Sequence, residues 1–208
     1  MSDEEADDTG PRSRGRPRNA ELDEAIIRAT IDRLAEDGYT RMSMGDIAAD
    51  AGTTRPTLYR RWQGKRELVA DVLDLVLRKR LAQQTPVDVH ALPAFEAVKQ
   101  TLYGLDPSHI DPRELALLGN ILAESTHIPE LLEIYREHCI EPGMRLLADT
   151  LSTLQQRGDL RPDIDPDDVA TMLYGSYLGD HFRSGTNTPD LATRAVSLLW
   201  PAIESEKH

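Results

Sequence analysis

The stretch from Ser43 to Arg61, SMGDIAADAGTTRPTLYRR, indicates two short helices joined by a tight turn. Ser43 is suited to cap the first helix, because its hydroxyl can accept a hydrogen bond from a free N–H of the first turn. Gly52 suits the end of that helix, where the backbone often becomes left-handed. Pro56 falls in the first turn of the second helix, where its missing N–H leaves no bond unmade. The stretch therefore predicts a helix-turn-helix.

A helical wheel of residues 54–62 separates an apolar side from a polar side. Leu58 and Trp62 lie about 40° apart on the wheel and predict the side that packs on the core. The opposite arc could enter a major groove, where arginine can pair with guanine, threonine can contact a thymine methyl, and tyrosine can hold a phosphate. The members of this arc are Pro56, Thr57 and Arg60, flanked by Tyr59 and Arg61. A packed helical hairpin with a solvated basic face fits the wheel equally well.

The formal net charge of −12 argues against a nucleic-acid partner until its distribution is considered. Residues 1–10 contain five acids and no base, residues 11–66 contain twelve bases and eight acids, and residues 67–208 contain twelve bases and twenty-three acids. The helix-turn-helix candidate lies in the one block with a positive charge. A basic head on an acidic body would be oriented on DNA by its own electric field.

Other features of the composition limit the class of protein. No apolar run approaches the roughly 20 residues that span a bilayer, and the acidic N-terminus does not have the pattern of a signal peptide. We therefore expect a cytoplasmic protein without a membrane partner. The single Cys139 has no second thiol for an internal disulfide or a zinc cluster, and we expect it to be buried in a helix.

Residues 1–19 have almost nothing to bury and are expected to be disordered in the free protein. They end in an arginine-rich arm, which could follow a narrow minor groove as other helix-turn-helix arms do, or could be a solvated tail. The arm residues are Arg12, Arg14, Arg16 and Arg18. An acidic stretch before the arm could compete with DNA for these arginines. Its residues are Asp3, Glu4, Glu5, Asp7 and Asp8.

Apolar spacing predicts helices along the rest of the chain and gives no strand signal. A first helix is expected from about residue 20 to Asp37, and a fourth from Lys65 to about Gln83. The body is expected to contain helices near 91–105, 112–125, 130–157 with a kink or break at 141–143, 166–183 and 189–203. The fold class is therefore all-α: a three-helix DNA-binding head with the helix-turn-helix in residues 20–66, and a C-terminal helical bundle for ligand binding and dimerisation in residues 67–208.

A set of residues at a combined spacing resembles the N-terminal domain of the TetR family of bacterial transcriptional regulators. The set is Gly38-Tyr39-Thr40, Asp46-Ile47-Ala48, Ala51-Gly52, Thr57-Leu58-Tyr59, Trp62, Lys65 and Glu67-Leu68. The resemblance covers roughly residues 20–75. It implies an all-helical homodimer that binds palindromic operator DNA, usually represses transcription, and is released by a small-molecule effector.

The resemblance also implies roles by position. The expected base-facing residues are Thr54, Arg55, Pro56, Thr57 and Arg60. The expected phosphate contacts are Ser43, Tyr59 and Lys65. A regulator of this kind needs no cofactor and no metal.

The last two predicted helices have the features of a dimer interface. One recognition helix contacts only a few base pairs, so useful specificity requires a dimer that spans two half-sites. The resemblance places the two-fold interface on these helices as a four-helix bundle, and the alternative is that their apolar stripes are internal core. The interface candidates are Gly175, Gly179, Leu191, Ala195, Leu198 and Leu199.

The default ligand cavity of a helical bundle lies between its helices. Residues that could line it are Phe95, Tyr103, Asn120, His127, Tyr135, His138, Met144 and Tyr174. We expect no enzyme, because the chain has no phosphate-binding glycine loop, no nucleophile-elbow serine and no histidine pair at metal spacing. A DNA-binding regulator without an effector and a helical interaction module remain as alternatives.

Overall fold

The computed structural model describes residues 20–82, 86–106, 112–185 and 190–205. All regular secondary structure in these ranges is helical, which confirms the all-α prediction. None of the described helices combines the length and apolar character that crossing a membrane requires. The predicted arginine arm lies outside the described residues, with all four of its arginines: Arg12, Arg14, Arg16 and Arg18.

Five helices form the head and its connection to the body. They are α1 (Ala20–Glu36), α2 (Gly38–Arg41), α3 (Met44–Asp50), α4 (Arg55–Tyr59) and α5 (Lys65–Ala82). The first helix ends near Asp37 as predicted, but the chain continues into the short α2, which the apolar spacing did not indicate. The second helix of the motif ends at Tyr59, so Trp62, the last residue placed on the helical wheel, lies beyond its end. Residues 60–64 then connect it to α5, which begins at Lys65.

The described part of the body contains six α-helices. They are α6 (Ala94–Gly104), α7 (Pro112–Ser125), α8 (Pro129–Tyr135), α9 (Glu141–Gln156), α10 (Pro166–Ser184) and α11 (Leu191–Ile203). A π-helical turn, Arg136–Ile140, joins α8 to α9. The irregularity predicted at 141–143 is therefore this π-helical turn, which lies about one turn earlier in the chain. Pro142 explains this shift, since it has no N–H to donate to the carbonyl one turn back and the backbone bonding upstream of it must change.

The described helices bury two hydrophobic clusters. One contains residues of α6, α9, α10 and α11, and Gly143 lets α9 approach the side chain of Leu105 closely. The other contains the head together with Leu117 of α7 and Leu131 of α8. The apolar core of the head therefore continues into two body helices, although the domain boundary predicted at residue 66 separates them in sequence. Burial of this shared surface joins the head to the body.

Candidate nucleic-acid interface

The first helix of the motif begins with the predicted cap. The backbone N–H of Asp46 donates to Ser43 Oγ over 3.2 Å, and that hydroxyl donates to the Asp46 carboxylate over 2.6 Å. Two groups of the first turn are thereby satisfied, and an acid lies where the helix dipole favours it. Because the Ser43 hydroxyl is already bonded within the cap, its phosphate contact stays a prediction.

The turn between α3 and α4 requires a glycine for its backbone conformation. Gly52 has a φ of +63°, as the sequence predicts. The next residue, Thr53, donates its N–H to the carbonyl of Ala48 over 2.8 Å, which closes the end of α3. A Cβ at Gly52 would meet nothing within 4 Å, so the left-handed backbone rather than crowding excludes other residues.

One side of α4 is held against the core. Leu58 is fully buried beside Ile47, which confirms its predicted orientation. Trp62 follows the helix, is half-buried, and donates its indole N–H to Asp71 of α5 over 3.0 Å. These contacts fix the rotation of α4 about its axis, and the opposite side is therefore directed away from the protein.

The outward side of α4 is polar and accessible. Thr54, Arg55, Pro56 and Arg60 are exposed, and Thr57 is half-buried. The hydroxyls of Thr54 and Thr57 lie 3.0 Å apart, and Arg60 Nη2 donates to Thr57 Oγ1 over 3.3 Å. The five predicted base-facing residues are thus brought together on one short helix and its N-cap. Their contacts to bases stay predictions.

Arg55, the first residue of α4, packs its side chain against α3. Its side chain lies along the N-terminal turn of α3, where a Cβ added to Gly45 would be 3.4 Å from Arg55 Cδ. That distance is an ordinary van der Waals contact, so the arginine stem packs between the two helices without requiring glycine at residue 45.

An ion pair that the sequence analysis missed links α1 to the end of α3. Arg33 donates to both carboxylate oxygens of Asp50, over 2.6 Å and 3.1 Å, and also to Asp37 over 3.0 Å. The hydrogen bonds from Arg33 hold the pKa of the Asp50 carboxyl below its usual range. The pair joins residues seventeen positions apart, so no local pattern could have indicated it.

The arginine that follows Arg60 is directed elsewhere. Arg61 forms an ion pair with Asp23 of α1, and its guanidinium carbon lies 5.8 Å from the centroid of the Trp62 ring. These contacts draw the side chain toward α1 and away from the outward side of α4. Of the two neighbouring arginines, Arg60 is therefore the better placed to reach a base edge.

Lys65 is also directed into the protein. Its ammonium donates to the carbonyl oxygens of Tyr39, Thr40 and Met42, and lies 4.3 Å from the centroid of the Tyr39 ring. Burial lowers the pKa of the Lys65 ammonium, and the nearby charge of Glu124 opposes that shift. All three N–H donors of the ammonium have partners in the head. Its predicted phosphate contact would require it to leave them.

The structure does not gather the eight predicted ligand-pocket residues around one space. Phe95 packs edge-on against Trp200, and Met144 and Tyr174 pack on the same cluster. Tyr135 packs on the cluster of the head instead. Tyr103 and His127 are exposed. The amide of Asn120 donates to two carbonyls of α1, and His138 is 2.9 Å from a carboxylate oxygen of Asp74. The pocket set stays a prediction.

Two acids of the body are buried, and the sequence pattern did not predict their burial. Asp106 and Asp180 are both buried, although acids are usually exposed. Tyr177 is buried as well and donates its hydroxyl to the carbonyl of Leu102 over 2.8 Å. Burial raises the pKa of the Tyr177 hydroxyl, and the charge of Asp106 adds to the effect. Single acids have no periodicity from which their burial could be predicted.

The six predicted dimer residues separate into two groups. Leu191 and Ala195 are buried within the core of this chain, as the alternative of internal core proposed for them. Gly175 and Gly179 are exposed, and a Cβ at either would meet nothing within 4 Å. Leu198 is 82% exposed, and Leu199 is half-buried. Three further apolar side chains of α10 are exposed, at 61% for Met172, 40% for Leu178 and 75% for Phe182.

Comparison with known proteins agrees with this architecture. Residues 26–72 match the family model described as bacterial regulatory proteins, tetR family, and residues 100–199 match a Tetracyclin repressor-like, C-terminal domain. An HTH-type transcriptional regulator of Mycobacterium bovis is 39% identical over 172 residues, which cover 81% of this chain and 76% of that protein. The DNA-binding transcriptional repressor TetR of Mycobacteroides abscessus is 26% identical over 156 residues, covering 74% and 76%.

Solved structures share the fold. The flavonoid-responsive regulator FrrA superimposes with a TM-score of 0.71 at 23% identity, covering 90% of this chain and 99% of that one. A transcriptional regulator from Saccharomonospora viridis in complex with choline superimposes with a TM-score of 0.63 at 20% identity, covering 90% and 100%. Both family models match, and the Mycobacterium bovis relative is 39% identical over 81% of this chain. This protein is therefore a DNA-binding transcriptional regulator that belongs to the TetR family.

Proposed function

We propose that the protein is a repressor that binds a palindromic operator as a homodimer and is released by a small-molecule effector. The observation that carries the DNA-binding part is the orientation of α4. Leu58 holds one side in the core, so that Arg55, Thr57 and Arg60 of the other side can enter a major groove. Repression is supported by the repressor of Mycobacteroides abscessus among the relatives.

The contacts to DNA would divide into two kinds. Thr54, Arg55, Pro56, Thr57 and Arg60 would face base edges, and Ser43 and Tyr59 would hold phosphates on either side of them. Tyr59 is half exposed at the end of α4, where its hydroxyl can reach the DNA backbone. Specific recognition would come from the first set, because phosphate contacts position a protein without distinguishing sequences.

The dimer would form through the outward side of α10 and α11. Met172, Phe182 and Leu198 expose large apolar side chains there, and Gly175 and Gly179 would let a partner helix approach closely. Exposed apolar patches of this kind usually indicate a protein interface. Leu191 and Ala195 are not part of this proposal, because they are buried in the core of the chain.

The effector would act by shifting populations between two arrangements of the heads. Ligand binding in the body would move α5 and change the separation of the two α4 helices, so that both could no longer enter their grooves. A shift in occupancy from 99:1 to 1:99 requires a difference in affinity of about 5.5 kcal/mol between the two states. The effector must therefore discriminate strongly between them.

The chemical class of the effector stays open. FrrA is described as flavonoid-responsive and the Saccharomonospora viridis regulator is in complex with choline, so this fold accommodates dissimilar small molecules. A regulator without an effector is the second candidate, because the predicted pocket residues lie in separate parts of this structure. A thermal-shift screen separates the two: a compound that raises the melting temperature and lowers DNA affinity supports an effector.

Replacing Arg60 tests base recognition. A duplex selected from a random pool by the wild-type protein serves as the probe in a mobility-shift assay. Arg60→Ala is expected to weaken binding by about 1–3 kcal/mol and to relax the sequence preference at one position of each half-site. Arg61→Ala removes the same charge from the neighbouring residue, which is paired with Asp23, and serves as the matched control.

Two results would contradict the assignment. An equal loss for Arg60→Ala and Arg61→Ala, uniform across sequences, would show that the arginines act only through charge. Failure of the wild-type protein to select any duplex would contradict specific DNA binding.

A further inference from the structure

The short helix α2 (Gly38–Arg41) lies between the DNA-binding motif and the body, and two other helices contact it through polar groups. From α5, Lys65 donates to the carbonyls of Tyr39, Thr40 and Met42. Helix α2 is too short to stabilise itself, and its carbonyl groups have few partners of their own. Lys65 supplies a donor to them and so attaches α2 to the first turn of α5.

The second contact comes from the body. Glu124 of α7 accepts two hydrogen bonds at Oε2, from the backbone N–H of Thr40 over 2.7 Å and from its hydroxyl over 2.6 Å. The two bonded residues are eighty-four positions apart in sequence. Hydrogen bonds to a carboxylate are stronger than those between neutral groups, so this is a firm point of attachment.

The fit between Glu124 and α2 depends on Gly38. A Cβ added to Gly38 would clash with Glu124 Oε1, and the φ of Gly38 is +76°. The left-handed backbone therefore favours glycine at this position, and a side chain there would also displace the Glu124 carboxylate from its bonds to Thr40. The carboxylate packs directly on the start of α2.

One turn earlier on α7, Asn120 holds the end of α1. Its side-chain amide donates to the carbonyls of Leu34 over 3.0 Å and Ala35 over 2.8 Å. These carbonyls belong to the last turn of α1, where the helix has no further N–H groups to offer. Asn120 and Glu124 therefore bind consecutive parts of the head from one face of α7.

We infer that Lys65, Asn120 and Glu124 are positioning residues that set the orientation of the head on the body, and that Lys65 acts through α2 rather than on a DNA phosphate. Together they form what we term the α2 clamp. The expected effect of the clamp on DNA affinity depends on the proposed dimer. Once one head of a dimer has bound its half-site, the second head binds the other half-site tightly only if the protein holds it at the correct distance and angle. Its effective concentration at that half-site depends on this geometry.

The clamp is tested by comparing a palindromic full site with a single half-site, both taken from the duplex selected by the wild-type protein. Glu124→Ala is expected to reduce affinity for the full site at least tenfold and to leave affinity for the half-site unchanged, because each head still reads its bases. Glu133→Ala, at an exposed carboxylate of α8, is the matched control and should change neither.

Loss of binding to both sites with native thermal stability would overturn the role of Glu124, and so would wild-type affinity for the full site. If Glu124→Ala does not fold, Glu124→Gln keeps an acceptor oxygen for Thr40 and should give a smaller loss, again confined to the full site. A wild-type protein that binds both sites equally would instead contradict the proposed dimer, before any variant is examined.

The salt dependence of affinity tests Lys65. Each phosphate contact contributes about 0.9 to the slope of log affinity against log salt concentration, hence about 1.8 for two copies in a dimer. Lys65→Met is expected to leave that slope unchanged and to lose full-site affinity, as Glu124→Ala does. Lys99→Met, which removes a charge from α6, is the control for general electrostatics. If Lys65→Met instead reduces the slope by about 1.8, Lys65 contacts the DNA backbone and its positioning role is overturned.

Discussion

The outward side of α4 and the outward side of α10 and α11 are both exposed, but their chemistry is opposite. On α4 and its two caps the exposed residues include Thr54, Pro56 and the arginines Arg55 and Arg60. On α10 and α11 they include Met172, Phe182 and Leu198. A polar, cationic surface is stable in water and suits a polyanion, whereas a large apolar surface gains free energy when a second protein covers it.

The difference shows how one chain divides two kinds of recognition. The α4 side would obtain specificity from directed hydrogen bonds, which require a rigid support, and Leu58 supplies it. The α10–α11 side would obtain affinity from buried area, which requires shape and little direction. Each surface would then be sensitive to a different kind of substitution.

The largest expected effect comes from charging the apolar surface. Leu198→Glu places a carboxylate where a second copy would cover it, and burial of an unpaired charge is unfavourable. We expect a monomer in sedimentation analysis and at least a hundredfold lower affinity for the full DNA site, because the gain from two linked heads is lost. Leu132→Glu charges an exposed leucine of α8 outside this surface and should remain dimeric. Persistence of the Leu198→Glu dimer would contradict the proposed interface.

The second largest expected effect comes from truncating Leu58, the buried side chain that holds α4 against the core. Leu58 is fully buried, and Leu58→Ala leaves a cavity in the shared cluster of the head, α7 and α8. The expected cost is about 2–5 kcal/mol in the free energy of unfolding, measured by denaturant titration. DNA affinity should fall more than dimerisation, since α10 and α11 belong to the other cluster. Equal loss of both functions would show that the two clusters unfold together.

The smallest expected effect concerns the link between α1 and α3. Asp50→Asn removes the charge that Arg33 binds, and should lower the melting temperature slightly at neutral pH, because exposed ion pairs contribute little. The pKa of the Asp50 carboxyl is depressed in the folded state, so its contribution is present above the unfolded pKa of about 3.9 and is lost as pH falls through the lower folded value.

The difference between the Asp50→Asn variant and the wild-type protein should therefore disappear under acid conditions. A difference in melting temperature that is constant across pH would contradict this account.

Local patterns predicted local features. The Ser43 cap, the left-handed Gly52 and the burial of Leu58 each depend on residues within a few positions of one another, and the structure confirms them. Pairs distant in sequence, such as Arg33 with Asp50 and Thr40 with Glu124, could not be predicted, because no spacing rule connects them.

The apolar stripe of the last helix shows the same limit. Periodicity identifies the stripe, and the family resemblance assigns it to a dimer interface with internal core as the alternative. Leu191 and Ala195 are buried in the core, whereas Leu198 is exposed. A helix with apolar residues on a wide arc can pack on two partners, and periodicity does not say which residue meets which.

The sequence by itself determined the helical class, the capped helix-turn-helix and the polar character of the α4 arc, because hydrogen-bonding preference and periodicity act over one or two turns. Tertiary structure alone decided where those elements are held. It directed Lys65 into α2, placed Glu124 against Gly38, and extended the core of the head into α7 and α8. These arrangements depend on packing between distant segments, which is the interaction that no local pattern contains.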